Sequence, residues 1–462
     1  MLQYAGVPED AGISSLGVQA FLDGVERQKL DFHSVMLLRQ GKVACRLVWQ
    51  PYASDTPHTL FSLSKSFCSC AAGLAVAEGL LRYDDKVAVA LADKVPPGAD
   101  ERIGDITLHH LLSMSSGLAP ESDKKPTKAD WCRNVLSHPV VHEPGTVFHY
   151  NTLGTYLVSA MVQRATGQTV RDYLMPRLFE PLGIQKPAWD SCPMGISAGG
   201  YGLHLSCEDI AKFALLLKND GIWQGKRLLP EGWVDRATAR IIKTADQEVT
   251  DWDLGYGYQF WRTREDRFRG DGMYGQLCLV DQKNDLALAV TAGIDDMGAE
   301  LDLLRDTLLK AWDMPPAPAD VQLAVKRRCG SLGYPWPADD GTGRDITGSY
   351  MAPGSRRLRI DLRPDGSYMM HHQVGGFENR LCFIVSRGAV HRGECLSPVP
   401  GEGLQPYLGA YGWQQGKLLA RVRMPEAPYA WLADIEPAAG GLRVVTAGAG
   451  VDAGTYLYKE MR

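Results

Sequence analysis

The stretch Phe61-Ser62-Leu63-Ser64-Lys65-Ser66-Phe67 places a serine and a lysine three residues apart at the beginning of an apolar run. The run continues to Leu81 and predicts a long helix that Ser62 opens. Residues i and i+3 lie on one face of a helix, so the Lys65 amine can approach the Ser62 hydroxyl. The field of the helix N-terminus favours a developing alkoxide, and burial lowers the pKa of a lysine. The stretch therefore predicts a serine nucleophile with a lysine as its base.

Two other serine motifs compete with this pair. Ser122-Asp123-Lys124-Lys125 has the same S-x-x-K spacing, which chance readily supplies, but it lies in a charged loop before a proline. Gly195-Ile196-Ser197-Ala198-Gly199 spells G-x-S-x-G, the nucleophile elbow of α/β-hydrolases. That elbow requires a buried strand just before it and a helix just after it, and neither pattern flanks Ser197. The context therefore favours Ser62 over both alternatives.

The composition is typical of a soluble globular protein, with 45% hydrophobic and 22% charged residues among 462. The formal net charge of −5 argues against a general affinity for nucleic acid or for anionic membranes. No apolar run reaches the 18 residues that a membrane span requires. The first ten residues lack the basic and apolar parts of a signal peptide, which predicts a cytoplasmic protein.

The histidines and cysteines do not form a metal-binding pattern. His138 and His142 are four residues apart, but Pro139 lies between them and no glutamate holds the metalloprotease position. His371 and His372 are adjacent in a predicted strand, so their side chains point to opposite faces. The ten cysteines are scattered and are interpreted as small buried thiols. We therefore expect neither a metal nor an organic cofactor.

Strand patterns occur at both ends of residues 1–314. Residues 34–38 and 43–49 near the start, and 276–280 and 286–291 near the end, have β-like runs. The helices predicted in this part of the chain are Ile13–Arg27, Phe61–Leu81, Tyr156–Thr166, Ile210–Lys218 and Ala299–Trp312. Strands at both ends imply one antiparallel sheet flanked by helices, and the middle implies an all-helical lobe beside it. The fold class is therefore α/β in the α+β sense, with a cleft between sheet and lobe.

A second domain is expected after residue 345. Pro and Gly are frequent over residues 315–344, which predicts a linker. Beyond it, period-2 patterns separated by Gly, Pro and Asp predict an all-β barrel or sandwich over 345–462. The strands predicted there are Leu358–Leu362, Tyr368–Gln373, Arg380–Ile384, Lys417–Met424, Leu442–Val445 and Thr455–Lys459.

Four later segments accompany the first motif, and they are His110–Leu118, Glu143–Thr152, Phe179–Ile184 and Ala198–Leu203. Together with Phe61–Phe67 they resemble, in order and spacing, the motifs of the β-lactamase-related serine hydrolases. That family includes class C β-lactamases, DD-peptidases, family VIII esterases and 6-aminohexanoate-dimer hydrolases. The resemblance covers about residues 10–313 and implies a β-lactamase/transpeptidase-like fold. The all-β tail resembles the lipocalin-like C-terminal domains of some of these hydrolases.

The resemblance implies a catalytic role for Tyr150. Most members carry Y-x-N as their second motif, whereas this chain reads Tyr150-Asn151-Thr152, with threonine in the final position. A phenol near Lys65 can relay the Ser62 proton and later protonate the leaving group. The motif also makes Asn151 a candidate substrate-binding residue.

The third motif departs most from the family. Penicillin-recognising members carry K-T-G, whose lysine and threonine hold the substrate carboxylate, whereas this chain has Gly270-Asp271-Gly272-Met273-Tyr274. Glycines allow close approach of the backbone. The amide of Met273 is expected to pair with that of Ser62 as an oxyanion hole, and Tyr274 is the alternative donor. Gly270, Asp271, Gly272 and Tyr274 are expected to line the substrate site.

These residues imply a serine hydrolase that forms an acyl-enzyme on Ser62 and acts on a small ester, amide or peptide. Loss of the K-T-G cation predicts poor β-lactamase activity. Two alternatives remain open at this point: an acyltransferase that uses the same acyl-enzyme, and a non-catalytic binding protein on this fold.

Overall fold

The strands at the two ends of the first domain meet in one sheet. The structure is a computed structural model, and it describes residues 2–123, 129–375, 380–398 and 403–461. The strands of this domain are β1 (Gln3–Tyr4), β2 (Phe32–Arg39), β3 (Lys42–Val48), β4 (His58–Thr59), β5 (Ala188–Trp189), β6 (Leu203–Leu205), β7 (Ile222–Trp223), β8 (Lys226–Arg227), β9 (Trp261–Thr263), β10 (Arg267–Gly272), β11 (Gln276–Asp281) and β12 (Leu286–Ala292). Seven of them form a sheet in the order β1-β3-β2-β12-β11-β10-β9, antiparallel except for the β1–β3 pair. The expectation of one sheet built from distant segments is confirmed.

Helices cover both faces of this sheet and build the lobe beside it. They are α1 (Ser15–Gln28), α2 (Ser64–Ala77), α3 (Val87–Ala90), α4 (Leu108–Leu112), α5 (Trp131–Val135), α6 (Thr152–Thr166), α7 (Val170–Leu174), α8 (Cys207–Lys218), α9 (Trp233–Thr238), α10 (Met297–Asp306) and α11 (Ala319–Cys329). One apolar core joins α1 and α10 to one face of the sheet, and a larger core joins α2, α6 and α8 to the other. Every residue of β12 is buried between these layers.

The helix predicted over residues 61–81 is in fact divided. Phe61–Leu63 form a single 3₁₀ turn, and the α-helix α2 begins only at Ser64 and ends at Ala77. The cause is the backbone of Phe61, whose φ of +46° lies in the left-handed region that no α-helix contains. Ser62 therefore lies in the turn before the helix, and Lys65 lies in the first helical turn.

The stretch 315–344, which the sequence predicts to be a linker, contains the helix α11. Val325 of this helix is buried in the core of the first domain, and Arg328 forms ion pairs with Asp23 and Glu26 of α1. The sequence pattern does not predict this helix. Proline and glycine flank it, and its apolar face is short because only one of its side chains is fully buried. The helix α11 thus packs against the first domain.

The second domain is a closed barrel. Its strands are β13 (Gly348–Ala352), β14 (Arg356–Leu362), β15 (Tyr368–Gln373), β16 (Arg380–Arg387), β17 (His391–Leu396), β18 (Leu404–Gln414), β19 (Lys417–Arg423), β20 (Ala430–Ala438), β21 (Gly441–Ala447) and β22 (Gly454–Glu460). The order β16-β15-β14-β13-β22-β21-β20-β19-β18 closes through a parallel β16–β18 pairing, so nine strands form the barrel and β17 adds to β18. Of the two expected forms, barrel and sandwich, the barrel is therefore confirmed. The pattern missed β13, β17, β18 and β20.

The barrel is joined to the first domain through the loop between β19 and β20, residues 424–429. The backbone amide of Thr59, in β4, donates to the carbonyl oxygen of Glu426 at 3.0 Å. Next to this loop, Arg423 donates to both carboxylate oxygens of Asp31 at 2.9 Å, with both side chains largely buried. The loop therefore lies directly beside the strand that leads into the Phe61–Leu63 turn.

Across the described ranges, the helices are too short or too polar to cross a bilayer. Within the same residues, no group of three or more His, Cys, Asp or Glu side chains is placed to hold a metal ion. His372 is buried against the Tyr458 hydroxyl while its neighbour His371 points outward, as the alternation of a strand requires.

Candidate active site

The first motif forms a compact pair at the start of α2. The Lys65 amine lies 3.1 Å from the Ser62 hydroxyl oxygen, and the Lys65 side chain is only 1% exposed. Ser62 itself is partly exposed. The 3₁₀ turn brings the two side chains together across the start of the helix, the arrangement that a nucleophile and its base require.

Two further acceptors fix the lysine. Its amine donates to the carbonyl oxygen of Gly200 at 2.8 Å and to the Thr152 hydroxyl at 3.3 Å. Thr152 stands in the final position of the Y-x-N motif, and its hydroxyl oxygen contacts Lys65. Three acceptors hold the amine at the nucleophile.

The environment lowers the pKa of this lysine. Burial lowers the pKa of Lys65 to about 7, because the charged form loses its hydration, although the carboxylates of Asp123 and Asp271 partly oppose the shift. A substantial fraction of the amine is therefore neutral at pH 7 and able to accept the Ser62 proton. The sequence pattern does not indicate a role for Asp123, which lies in a charged loop and whose carboxylate accepts from the backbone amide of Leu153.

Tyr150 lies beside the same pair, just before the cap of α6. The Lys65 amine is 4.8 Å from the centre of its ring, and the ring stacks on Trp261 at 5.6 Å. Burial and the nearby Asp271 carboxylate raise the pKa of the Tyr150 phenol, and a hydrogen bond with Ser62 only partly offsets this. The phenol therefore stays neutral, and it is suited to relay a proton rather than to act as a phenolate base.

Asn151 is engaged inside the protein. Its amide oxygen accepts from the backbone amide of Gly154 at 2.7 Å and caps α6, and its amide nitrogen donates to the Ser122 hydroxyl at 2.6 Å. The geometry therefore does not support the expected substrate contact of Asn151, and it gives Ser122 a structural role. Lys124 and Lys125, the remainder of that second S-x-x-K match, lie outside the described residues.

The third motif forms the end of β10 and the turn after it. A Cβ atom at Gly272 would overlap the carbonyl oxygen of Leu60, and one at Gly270 would overlap the Ser66 hydroxyl. Glycine at both positions lets this strand lie directly against the segment that carries Ser62. Met273 follows at the start of the turn with 55% of its surface exposed. Through the contacts of Gly270 and Gly272, this turn lies next to the segment that carries Ser62.

The buried side chain of Gln276 fixes the turn. Its amide nitrogen donates to the carbonyl oxygens of Met273, Tyr274 and Ala292 at 3.1, 3.2 and 2.8 Å. The carbonyl oxygen of Tyr274 also accepts from the amide of Ile294 at 3.0 Å. The carbonyl oxygens of Met273 and Tyr274 are thus both held by hydrogen bonds inside the protein.

Asp271 lies on the opposite face of β10 from the two glycines. Its carboxylate accepts from Arg269 and from the indole nitrogen of Trp252, both at 3.1 Å. It is 7% exposed, so the expected contact of Asp271 with substrate is replaced by an electrostatic effect on Lys65 and Tyr150. Arg269 is fully buried on that same face, so it does not replace the missing K-T-G lysine.

The G-x-S-x-G segment is structural. Ser197 is 3% exposed, its backbone pairs with Ser191, and its carbonyl oxygen accepts from the Ser159 hydroxyl at 2.8 Å. The segment then continues to Gly200, whose carbonyl holds Lys65. The backbone of this segment, rather than the Ser197 hydroxyl, contacts Lys65.

The domain that carries this site is similar in sequence to known proteins. The family model described as Beta-lactamase matches residues 19–311. The chain is 24% identical over 278 residues to the 6-aminohexanoate-dimer hydrolase of Paenarthrobacter ureafaciens, covering 54% of this chain and 69% of that protein. It is 27% identical over 242 residues to penicillin-binding protein 4 of Amycolatopsis lactamdurans, covering 43% and 62%. These matches span only part of each relative.

Among solved structures, that of SurE is similar over both domains. The alignment covers 98% of this chain and 100% of SurE, with a TM-score of 0.52 and 17% sequence identity. Identity this low shows a shared fold alone. The likeness extends through the barrel as well as the sheet domain.

Proposed function

This chain belongs to the beta-lactamase family, and we propose that within it the protein is a serine hydrolase that cleaves an ester or amide bond through an acyl-enzyme on Ser62. The observation that carries the proposal is the 3.1 Å contact between the Ser62 hydroxyl and a buried lysine whose pKa is lowered to about 7. Such a pair provides both the nucleophile and the base at neutral pH.

Acylation begins when neutral Lys65 accepts the Ser62 proton while the Ser62 oxygen bonds to the substrate carbonyl carbon. The carbonyl oxygen becomes an oxyanion that the backbone amides of Ser62 and Met273 stabilise. Tyr150 relays the proton from the lysine to the leaving alcohol or amine, so the carbon–leaving-group bond breaks and neutral Lys65 is restored. Water then attacks the acyl-enzyme by the same route and releases the acid.

The substrate class follows from what the third motif lacks. Gly270 stands where penicillin-recognising relatives carry lysine, and the neighbouring Arg269 is buried on the far face and bound to Asp271. A carboxylate next to the scissile bond therefore has no cation to bind in this strand. The aromatic side chains of Phe148, Tyr150 and Trp261, which pack together, favour an uncharged ester or amide.

An acyltransferase remains the alternative, because the same acyl-enzyme can pass its acyl group to an alcohol or amine instead of water. The two reactions share every step up to the acyl-enzyme. Partition of product between acid and transferred ester, measured with an added alcohol acceptor, separates them.

The decisive experiment compares Ser62→Ala with Ser197→Ala in hydrolysis of p-nitrophenyl acetate and in labelling by a fluorophosphonate. We expect wild type and Ser197→Ala to react equally and Ser62→Ala to lose labelling and activity. Retained activity in Ser62→Ala would exclude Ser62 as the nucleophile. A wild-type protein inert to both reagents would favour a non-catalytic binding protein.

A further inference from the structure

Three aromatic rings meet where the barrel touches the catalytic domain. The ring centres of Phe61 and Tyr274 are 5.6 Å apart, and Tyr429 of the barrel lies 6.3 Å from Phe61 and 6.0 Å from Tyr274. All three pairs pack edge to face, the arrangement that aromatic quadrupoles favour. Tyr429 is fully buried in the core of the barrel, while the other two rings extend from the catalytic domain to meet it.

These two rings flank the proposed oxyanion donors. Phe61 comes directly before Ser62, and Tyr274 comes directly after Met273. The Tyr429 side chain therefore contacts a residue of each segment that carries a proposed oxyanion donor. The two donor amides have to face the same substrate oxygen. Because the donors must be held to within a fraction of an ångström, whatever fixes these segments affects catalysis.

Both segments have backbones that need support. Phe61 and Tyr274 have φ angles of +46° and +65°, in the left-handed region that residues with a bulky side chain rarely adopt. Such conformations persist only where surrounding packing holds them. The ring contacts with Tyr429 supply packing to both residues at once.

The barrel loop that carries Tyr429 is itself fixed to the catalytic domain. Thr59 donates to the Glu426 carbonyl at 3.0 Å, and the Met424 amide donates to the Tyr429 carbonyl at 3.0 Å and closes the loop. A Cβ atom at Gly293 would overlap the carbonyl oxygen of Pro428, so the loop lies directly on the end of β12. Tyr429 is therefore held relative to the sheet that carries the third motif.

We propose that Tyr429 is a positioning residue for the oxyanion hole, and that the barrel thereby forms part of the catalytic centre. By packing on Phe61 and Tyr274 it sets the spacing between the amides of Ser62 and Met273. The inference rests on the proposed serine hydrolase function. It assigns the barrel a role in the chemical step rather than in substrate capture alone.

The test measures kcat and KM for p-nitrophenyl acetate in the full-length Tyr429→Leu and Tyr429→Phe variants. Leucine removes the ring, and we expect kcat to fall about 10-fold to 100-fold with KM changed less than about three-fold, as for displaced oxyanion donors. Phenylalanine keeps the ring and loses only the hydroxyl, so it should restore most of kcat. Tyr429→Met, judged by the same criterion, replaces the leucine variant if that protein does not fold.

Tyr411→Leu is the matched control. Tyr411 is an equally buried tyrosine of the barrel core, but its ring packs on Tyr368 at 4.9 Å and its hydroxyl bonds to the Gly366 carbonyl. We expect this variant to lower the melting temperature and leave kcat within about two-fold. Equal losses of kcat in both leucine variants, or an unchanged kcat in Tyr429→Leu, would overturn the inference. An inactive wild type would instead reject the serine hydrolase function itself.

Discussion

The Lys65 amine lies 2.8 Å from the carbonyl oxygen of Gly200, closer than to either of the hydroxyl groups that it contacts. A carbonyl accepts a hydrogen bond but has no proton to exchange at neutral pH. It can therefore hold the lysine in place whether the amine is charged or neutral, while the hydroxyl of Ser62 takes part in proton transfer. The backbone of the glycine-rich segment thus orients the base.

Gly200→Ala tests this orientation. A Cβ atom at Gly200 would lie 2.6 Å from the Thr152 carbonyl oxygen and 2.7 Å from its methyl group, so either the loop or Thr152 must move. Both hold Lys65, and we expect kcat/KM to fall about 10-fold to 100-fold, as for a catalytic group displaced by about 1 Å. Gly104→Ala is the control, because its Cβ would meet nothing within 4 Å. A Gly200→Ala enzyme with wild-type kcat/KM would show that this carbonyl does not orient the base.

The pH dependence of acylation follows from the lysine. The pKa of Lys65 is lowered to about 7 and the active form is the neutral amine, so activity is lost as pH falls below that value and retained above it. We expect kcat/KM to drop about ten-fold for each pH unit below about 7 and to level off above it. Initial rates with p-nitrophenyl acetate between pH 5 and 9 measure this acidic limb of the pH profile. A profile that still rises steeply between pH 8 and 9 would contradict a neutral Lys65 base.

Asp123→Asn should move that limb. The carboxylate of Asp123 raises the pKa of Lys65 by stabilising the charged amine, so its neutralisation shifts the limb to lower pH, by up to about one unit. Asparagine keeps the oxygen that accepts from the Leu153 amide at 2.9 Å, so the local fold should persist. Glu121→Gln, an exposed carboxylate of the same turn, is the control and should leave the limb in place. A shift to higher pH in Asp123→Asn would refute this electrostatic role.

The fold was largely predictable because its signals are local. The strands β11 and β12 have continuous apolar patterns that period and length resolve. At the start of α8, Ser206 and Asp209 form a capping box, a local signal that the sequence carries. What the pattern missed has a physical reason. The division of the helix predicted over residues 61–81 depends on the φ angle of Phe61. Tertiary packing holds this angle, and helix propensity does not predict it. The helix α11 buries too little of its surface to show a clear apolar face.

The site was predictable only where side chains carry the chemistry. Residue type and spacing predict Ser62 and Lys65, and the family resemblance implies Tyr150. The three side chains lie together in the structure. The contact between Lys65 and the Gly200 carbonyl could not be predicted, because every residue has a backbone carbonyl and only the fold determines which one lies at the amine. The third motif predicts that Asp271 contacts substrate, but strand alternation places its side chain opposite Gly270 and Gly272.

A buried acid lies beneath the turn that carries Met273. Glu300 of α10 is fully buried, and both of its carboxyl oxygens lack a hydrogen-bond partner among the described residues. A Cβ atom at Gly275 would lie 2.6 Å from one of these oxygens, so the carboxyl group packs directly against the turn. Burial raises the pKa of Glu300 to about 8, and the Asp271 carboxylate adds to this while Arg269 opposes it.

Glu300→Gln should therefore stabilise the protein increasingly as pH rises. An unfolded glutamate has a pKa of about 4.3, so between that pH and about 8 the folded state retains a proton that the unfolded state releases. Stability is then lost as pH rises through this range, by on the order of 4–5 kcal/mol. Glutamine, which mimics the neutral acid, does not titrate. We expect the two melting temperatures to be similar at pH 5 and that of the variant to be higher at pH 8. A difference that stays constant from pH 5 to 8 would show that Glu300 does not titrate in this range.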